Sequence, residues 1–512
     1  MAFSYVSSAA LLGLHVELVR VEADVSNGLP MFHMVGYLSS EVKEASERVR
    51  TAIHNSELSF PPKKTVINLS PATVKKKGPS FDLPIALSVL LSVGVIPPDC
   101  LRKTLVIGEL SLDGRVRKVK GVLPVVLEAK KAGFCTCILP EENAAEGALV
   151  EDIQIIGTES LKEICLHLKG KQVIDACSHE RKAGQRKPDG NSLADFSDIK
   201  GQETVKRAAE VAVAGGHNLL LMGPPGSGKS MIAGRIPTIL PSPTREECIE
   251  ITKIYSVLGM VDEEQPLIRT RPFRNVHHAA TKAALIGGGA VPSPGEISLA
   301  HGGVLFLDEL AEFQKPVLEV LRQPLEEHKI RISRSHGSYV FPADFILVAA
   351  LNPCPCGNYP NMEKCTCSES QIRHYLGRIS QPFLDRMDIC VEVPGVRYEE
   401  LSRKEAPEGS EDIRRRVCRA REIQRHRYQE MDISVNAMLG MKKIEEYCRL
   451  DQEGEALMKQ AFAVLGLTAR TYHKILKVAR TIADLDESER VLPCHLGEAV
   501  GYRTIDKKYW GR

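Results

Sequence analysis

The middle of the chain contains three short apolar runs, each of which ends at a polar residue or a glycine. The runs cover residues 217–222, 303–307 and 344–351. Apolar runs of this length that are bounded by turn residues predict buried strands. The first run is followed by a glycine-rich loop and by residues that can begin a helix, which is the order of elements in an α/β fold with a parallel sheet.

The first third of the chain shows a different alternation of patterns. Strand-like runs at 14–22, 65–69 and 104–108 alternate with helical spacing at 40–56 and 83–93. This alternation predicts an α/β or α+β domain.

The pattern changes twice more along the chain. A polar, charged stretch with Gly and Pro predicts a flexible joint, and the last part of the chain has helical spacing with few strand-like runs. We therefore predict an α/β multidomain protein with an N-terminal domain, a linker, a core and an all-α lid at 1–170, 171–194, 195–395 and 396–512.

Composition sets limits on this picture without pointing to a partner. The chain has 512 residues, which is too long for a single core, and its net charge of +2 gives no overall basic signal for nucleic acid. The N-terminus lacks the pattern of a signal peptide, and no apolar run is long enough to cross a membrane. We expect a cytoplasmic protein that does not bind membranes, in which the 14 cysteines are reduced.

The loop after the first apolar run fits the phosphate-binding pattern G-x-x-x-x-G-K-[S/T]. Its glycines allow backbone N–H groups to surround phosphates, and the N-terminus of the following helix adds positive potential. We expect Lys229 to reach the β- and γ-phosphates of ATP and Ser230 to hold Mg²⁺. The predicted nucleotide-binding residues are Gly223, Pro224, Pro225, Gly226, Ser227, Gly228, Lys229 and Ser230.

The second apolar run ends in the carboxylates of Asp308 and Glu309, which is the Walker B pattern. Asp308 is predicted to bind the Mg²⁺ shell, and Glu309 to polarise the attacking water. The third run ends at Asn352, whose amide can hydrogen-bond the water or the γ-phosphate. A strand-capping role for Asn352 is the alternative.

Several further segments resemble the Mg-chelatase-like AAA+ ATPases of the YifB/ComM family. They lie at 271–278, 284–289, 294–301 and 351–357, and the resemblance in domain order extends over essentially the whole chain. It implies an AAA+ P-loop core and a homo-hexameric, ATP-driven DNA helicase that promotes branch migration in DNA recombination during natural transformation. Recombination proteins would be possible partners.

The resemblance also implies roles for three residues outside the Walker motifs. Asn352 stands at the sensor-1 position, and Arg386 at the position of an arginine finger that acts on the neighbouring subunit's nucleotide. Arg378 and Arg373 are the competitors for the finger. Arg470, in the first turn of a helix that Thr468 is expected to cap, matches sensor 2 and would act either in its own subunit or across the interface.

The N-terminal domain carries two segments, 75–82 and 108–114, that resemble the proteolytic domain of the Lon family. The resemblance implies a Lon-protease-like fold, also described as ribosomal S5 domain 2-like. Ser80 matches the nucleophile position, but the position of the activating lysine falls on Leu123. Leucine cannot accept the serine's proton, so we expect no protease activity and an N-cap or turn role for the Ser80 hydroxyl.

Two segments of the core are candidates for contact with DNA. Residues 329–341 alternate apolar and polar side chains around a turn, which predicts a β-hairpin. Its basic residues Lys329, Arg331 and Arg334 would form part of a collar for a phosphate backbone in a ring; an ordinary solvated hairpin is the alternative. The segment 279–296 matches a family insert that points into the central pore.

Four cysteines, Cys354, Cys356, Cys365 and Cys367, form two C-x-C pairs joined by a short turn. Two such pairs can place four thiolates around a structural Zn²⁺, whereas a disulfide is not expected in the cytoplasm. The adjacent histidines His277 and His278 do not have the geometry to chelate one ion, and packing or pore-loop support is expected for them.

Three other interpretations stay open. The basic helical segment 411–428 fits a solvated face or a subunit contact, with direct DNA contact as the alternative. A chelatase-type motor that remodels a partner protein is the second candidate function. An ATP-dependent protease is the third, and Leu123 argues against it.

Overall fold

A computed structural model of the protein describes residues 3–60, 62–177, 194–289, 292–334, 337–395, 398, 407–431 and 433–511. The predicted linker at 171–194 lies largely outside these residues, because 178–193 are not described. The strands are β1 Phe3–Leu12, β2 His15–Ser26, β3 Met31–Val35, β4 Lys64–Ser70, β5 Thr104–Val106, β6 Glu109–Leu110, β7 Val116–Arg117, β8 Thr136–Pro140, β9 Gln154–Thr158, β10 Leu219–Met222, β11 Phe273–Val276, β12 Gly287–Gly288, β13 Ser293–Pro294, β14 Val304–Leu307, β15 Lys329–Arg334, β16 Gly337–Pro342, β17 Ile346–Leu351 and β18 Ile389–Glu392.

Helices are found throughout the chain and dominate its last part. The α-helices are α1 Ser40–Lys43, α2 Ala45–Asn55, α3 Asp82–Ser92, α4 Val122–Lys131, α5 Glu141–Gly147, α6 Leu161–Leu168, α7 Glu203–Gly215, α8 Lys229–Ile239, α9 Arg245–Leu258, α10 Lys282–Ile286, α11 Glu296–Leu299, α12 Lys315–Glu319, α13 Arg322–Glu327, α14 Glu369–Leu376, α15 Gln381–Leu384, α16 Ser410–Arg427, α17 Met441–Tyr447, α18 Gln452–Leu465, α19 Ala469–Leu485, α20 Pro493–Gly501 and α21 Thr504–Trp510. Short 3₁₀ helices lie at Pro79–Phe81, Phe196–Asp198, Leu310–Glu312 and Asn436–Met438. In the described part of the chain, no helix combines the length and apolar composition that crossing a bilayer requires.

The N-terminal part folds around a seven-stranded sheet in the order β3-β4-β2-β1-β5-β8-β9. The strands predicted at 14–22, 65–69 and 104–108 are confirmed as β2, β4 and β5. Strand β1 escaped prediction because serines occupy both of its faces, and Ser8 is buried. The single helix predicted at 40–56 is two helices, interrupted at Glu44.

The Lon-like segments come together next to this sheet. The backbone N–H of Gly108 donates to the carbonyl of Ser80 at 2.9 Å, and 109–117 form a hairpin of β6 and β7. The N-cap role considered for Ser80 is wrong: Gly78 and Phe81 are the N-cap residues of the 3₁₀ turn and of α3, and neither helix has a side-chain cap. Leu123 is fully buried in α4.

The central part contains five parallel strands in the order β11-β14-β17-β10-β18. The three buried strands predicted from the apolar runs are confirmed as β10, β14 and β17, and they lie side by side. Their alternate residues face two separate cores, one shared with α7, α8 and the C-terminal helices and the other with the helices around α12. The parallel arrangement brings the carboxyl ends of the strands to one edge of the sheet.

The C-terminal part is helical, and it packs on the central sheet. Thr468 accepts a hydrogen bond from the N–H of Thr471, as the cap predicted for α19 requires. On the basic helix α16, Arg416 pairs with Glu210 at 2.5 Å and Arg427 pairs with Asp484 at 2.5 Å. These arginines therefore bind α16 to its own chain, while Arg419 stays 62% exposed.

The N-terminal sheet domain is docked on the central part through α4 and α9. The N–H of Gly121 donates to the Ser256 carbonyl at 2.9 Å, and the Ser256 hydroxyl donates to buried Glu146 at 2.5 Å. The β1–β2 turn reaches the hairpin of β15 and β16, where a Cβ on Gly13 would lie 3.2 Å from the ring of Phe341. Helix α4, which contains Leu123, therefore forms part of the contact between the N-terminal sheet and the central part.

Candidate active site

The loop between β10 and α8 has the backbone that a phosphate cradle requires. Gly226 and Gly228 adopt φ angles of 75° and 87°, and a Cβ added at either position would meet nothing within 4 Å. Positive φ is available to glycine at little cost, so these two residues shape the loop. The Ser227 hydroxyl is buried and has no hydrogen-bond partner within the described chain.

Lys229 is the first residue of α8, and its ammonium group points back into the loop. It donates to the carbonyls of Gly223 and Pro224 at 2.7 and 2.8 Å and to the Asn352 amide oxygen at 3.0 Å. Burial lowers the pKa of Lys229, and the charge of Asp308 partly offsets this effect. A cation that is 8% exposed among neutral oxygens suits an incoming phosphate.

Ser230 and Asp308 meet at the edge of the sheet. The Ser230 hydroxyl donates to one carboxylate oxygen of Asp308 at 2.7 Å, and the other oxygen accepts the N–H of Glu309 at 2.9 Å. A hydroxyl and a carboxylate are oxygen ligands of the kind that Mg²⁺ prefers. The donor set predicted for Mg²⁺ therefore fits the ion.

His278 lies in the site, whereas the sequence predicted packing or pore-loop support for it. Its Nδ1 lies 3.2 Å from a carboxylate oxygen of Glu309, and its ring lies against that of His277, with centroids 4.1 Å apart and the planes tilted by 34°. Glu309 adopts φ 51°, so its backbone is turned left-handed at the end of β14. His278 follows the end of β11 by two residues, and β11 lies beside β14, the strand that ends before Glu309. The sequence did not show that these two strands are neighbours, so it did not indicate the contact.

The structure does not join Arg386 or Arg470 to the phosphate loop by any hydrogen bond of the described residues. Arg386 is 7% exposed and binds Glu326, whose carboxylate also lies 3.8 Å from Arg470. In the isolated chain Arg386 is therefore not a free finger that points outward, because Glu326 binds its guanidinium.

The two competitors for the finger are engaged elsewhere on the surface. Arg378 pairs with Glu312 at 3.0 Å, close to the end of β14, and Arg373 pairs with Glu369 at 3.1 Å. Both members of the second pair are about four-fifths exposed, at 80% and 81%.

A cavity of about 1430 Å³ opens beside the phosphate loop at Gly223 and Pro224. One wall comes from Gln202 and the first residues of α7, and another from the C-terminal part of the chain at Tyr502 and Lys508. The cavity is large enough for a nucleotide and reaches both the core and the helical part.

The cysteine loop forms a third wall of this cavity. The sulfur atoms of all four cysteines lie within 4.8 Å of one another, the arrangement a tetrahedral metal site needs. N–H groups of Asn358 and Thr366 lower the pKa of the Cys356 thiol, which favours the thiolate that a metal ion would bind, whereas the pKa values of Cys365 and Cys367 are raised. A Cβ on Gly357 would lie 2.2 Å from Pro225, so this loop packs directly on the phosphate loop.

The predicted hairpin at 329–341 is confirmed as the antiparallel pair β15 and β16. Ile330 and Ile332 face the core, while Lys329, Arg331 and Arg334 are exposed. The predicted insert at 279–296 contains α10 and the small hairpin of β12 and β13, with residues 290 and 291 outside the description.

Comparison with known proteins covers nearly the whole chain. Residues 195–401 match the family model for magnesium chelatase, subunit ChlI, residues 21–143 match a ChlI subunit model, and residues 407–503 match the ChlI C-terminal model. Competence protein ComM of Haemophilus influenzae is 42% identical, with 99% of this chain and 98% of that protein covered. The uncharacterized protein YifB of Escherichia coli is also 42% identical, with the same coverage. Lon protease 2 of Bacillus subtilis is 29% identical over 35% of this chain and 36% of its own length.

Proposed function

The chain belongs to the magnesium-chelatase-like family that includes ComM and YifB, and from this membership we propose that it is an ATP-driven DNA translocase. The AAA+ family implies ATPase activity. We further propose that six copies form a ring and promote branch migration in DNA recombination during natural transformation, the setting that the name of the relative ComM suggests.

One observation carries the ATPase part of the proposal. Lys229, Ser230, Asp308 and Asn352 come from one helix and the ends of two strands, and hydrogen bonds of 2.7 and 3.0 Å join them in pairs beside the loop of Gly226 and Gly228. A buried ammonium group beside a backbone cradle is the arrangement that binds a triphosphate.

Each side chain then has a defined task in hydrolysis. Lys229 would exchange its carbonyl partners for phosphate oxygens, and Asn352, which now accepts from Lys229, would be free to orient the attacking water. Glu309 would polarise that water from the side of His278. Mg²⁺ held by Ser230 and Asp308 would neutralise charge on the β- and γ-phosphates.

The hairpin of β15 and β16 supports the DNA part of the proposal. Its apolar face is anchored in the core, so its basic face at Lys329, Arg331 and Arg334 is held on a rigid element. Six such faces around a channel would follow a phosphate backbone without reading bases. Arg331 has a carboxylate neighbour, Glu327, 3.6 Å away, which a phosphate could replace.

ATP turnover with and without forked DNA tests this function. We expect forked DNA to stimulate turnover by the wild-type chain, and we expect particle images with ATP and DNA to show six-membered rings. The proposal is wrong if DNA leaves ATP turnover unchanged at protein concentrations at which rings are seen.

A further inference from the structure

One carboxylate is shared by the two arginines expected to act at a subunit interface. Oε1 of Glu326 lies 2.5 Å from an Arg386 guanidinium nitrogen and 3.8 Å from an Arg470 guanidinium nitrogen. The three residues come from α13, from the segment after α15, and from the first turn of α19. The fold therefore brings both arginines to one acidic group, although they are far apart in sequence.

Positive charge exceeds negative charge at this point. Arg322 adds a third guanidinium close enough to lower the pKa of Arg386, after the larger effect of burial. Arg322 has its own carboxylate, Glu319, at 2.8 Å, so among the described residues Glu326 is the one carboxylate paired with Arg386 and Arg470. A site with two guanidiniums and one carboxylate has one charge left for an anion.

Arg386 also has a hydrogen-bond donor that no acceptor in the described chain satisfies. Its side chain is 8% exposed, and it donates to the carbonyl of Pro382 as well as to Glu326. Its Nε is buried and has no partner among the residues that the structure describes. A buried guanidinium with an unused donor is costly, which is the condition that an additional acceptor would relieve.

The backbones of both arginines are fixed, while the side chain of Glu326 is not. Asn218 donates to the carbonyl of Arg386 at 3.1 Å, and Asp388 pairs with Lys474 of α19 at 2.7 Å. These bonds tie the Arg386 segment to the helix that carries Arg470. Glu326 is 52% exposed at the end of a six-residue helix, so its carboxylate can move away with little disruption.

We propose that Glu326 is an internal counter-ion, which holds Arg386 and Arg470 as a withdrawn pair and releases them to the terminal phosphate of ATP bound by a neighbouring copy. This inference rests on the ring of the proposed function. A phosphate offers more charge and more acceptor oxygens than one carboxylate, so it can displace Glu326 and also satisfy the unused Nε.

The position of Glu326 also connects the pair to the DNA hairpin. Only Glu327 and His328 separate it from β15, and His328 has a left-handed φ of 54°. A phosphate backbone that pulls on Lys329 and Arg331 would shift α13 and take the Glu326 carboxylate away from the arginines. DNA stimulation of ATP turnover would then come partly from removal of this counter-ion.

Removal of the charge without a change of shape tests the proposal. Full-length E326Q keeps an oxygen that accepts from Arg386 but does not compete with phosphate. Without DNA, we expect E326Q to turn over ATP about fivefold faster than wild type at subsaturating ATP, the low end of coupling between sites. DNA should stimulate the ATP turnover of E326Q less than that of wild type. The increase in DNA-free turnover should be absent from the double variant E326Q/R386A.

Two further variants distinguish the effect of removing the Glu326 charge from an effect of damage to the fold. E326D keeps the charge and should behave like wild type, and E446Q, which removes the partner of Lys443 on the lid surface, should do so as well. Melting temperatures of all variants show whether the fold is intact. Basal turnover in E326Q at or below the wild-type level overturns the proposal, as does a gain that persists without Arg386 or appears equally in E326D.

The DNA-free assay also separates this inference from the proposed function. One outcome is that E326Q turns over ATP faster than wild type without DNA, that this increase requires Arg386, and that DNA does not change ATP turnover. This outcome supports the counter-ion role of Glu326 and contradicts the DNA function. DNA stimulation of wild type together with unchanged basal turnover in E326Q supports the DNA function and contradicts the counter-ion.

Discussion

The imidazole of His278 lies 3.2 Å from the carboxylate of Glu309, the residue expected to polarise the attacking water. His278 follows β11 and Glu309 follows β14, and the two strands are neighbours in the parallel sheet. The contact therefore depends on the sheet order. It gives this histidine a direct influence on the orientation of the Glu309 carboxylate.

Substitution of His278 should slow hydrolysis more than it weakens nucleotide binding. H278A removes the partner that fixes Glu309 but leaves the phosphate loop unchanged, so we expect kcat to fall about tenfold while KM for ATP stays near the wild-type value. H278N, which can still hydrogen-bond the carboxylate, should retain more activity. Steady-state ATPase kinetics measure both constants, and H374A, on the exposed face of α14, is the control. An unchanged kcat in H278A would contradict the proposed effect of His278 on Glu309.

The four cysteines should hold about one zinc ion per chain. Loss of a ligand in C365S should abolish zinc binding and raise KM for ATP, because the loop carrying Gly357 packs on Pro225 of the phosphate loop. Metal analysis of the purified chain checks the first point, and ATPase kinetics check the second. The control C494S removes an exposed cysteine outside the cluster and should change neither the zinc content nor the KM for ATP. If the wild-type protein contains no zinc, or if C365S retains its full zinc content, the cluster is not a zinc site.

The hairpin's basic face should contribute to DNA affinity through charge alone. R331A should weaken binding to forked DNA irrespective of sequence and reduce the slope of log affinity against log salt by about one. The matched control is R419A, since Arg419 is as exposed as Arg331, at 62% and 61%, but lies on α16. Fluorescence anisotropy at several salt concentrations measures both quantities, and equal slopes for R331A and wild type would assign the hairpin to the solvated alternative.

Acid should weaken the packing of the helical part on the central sheet through His217. Its imidazole is buried against Thr481 of α19 at 2.7 Å, and burial lowers its pKa to about 4. The unfolded chain protonates this group near pH 6.5, the folded chain only near pH 4. The contribution of neutral His217 to the free energy of unfolding is therefore fully present above pH 6.5. It decreases by on the order of 3 kcal/mol as the pH falls to 4.

Denaturant unfolding followed by the fluorescence of Trp510, the single tryptophan, checks this window. H217Q should lose less stability than wild type between pH 6.5 and pH 4, whereas H15Q, at the exposed β1–β2 turn, should follow wild type. The same loss in H217Q as in wild type would place the acid sensitivity elsewhere.

The phosphate loop and the Walker B strand were predictable from sequence because their chemistry needs fixed residue types at fixed spacing. Lys229, Ser230 and Asp308 are brought together as the strand pattern implied. The contacts of His278 and Glu326 were not predictable, because each residue meets a partner far away in sequence. Strand β1 was missed because serines occupy both of its faces, and the spacing of apolar residues did not indicate the break at Glu44.

The orientation of Arg386 illustrates a further limit. Its position in the chain matched a finger, but no sequence pattern indicates that Glu326 binds it in the isolated subunit. Side-chain pairing of this kind depends on how α13 meets the segment after α15, which is a matter of tertiary structure.

The most direct test uses labelled branched DNA with ATP and compares wild type with K229A. Lys229 supplies the ammonium group of the phosphate loop, so its loss should reduce ATP turnover by a factor on the order of 100 or more. Wild type should move the branch point and release labelled strands, K229A should not, and K459A, on an exposed face of α18, should match wild type. Equal strand release by K229A and wild type, or none by wild type in the presence of ATP, would contradict an ATP-driven DNA translocase.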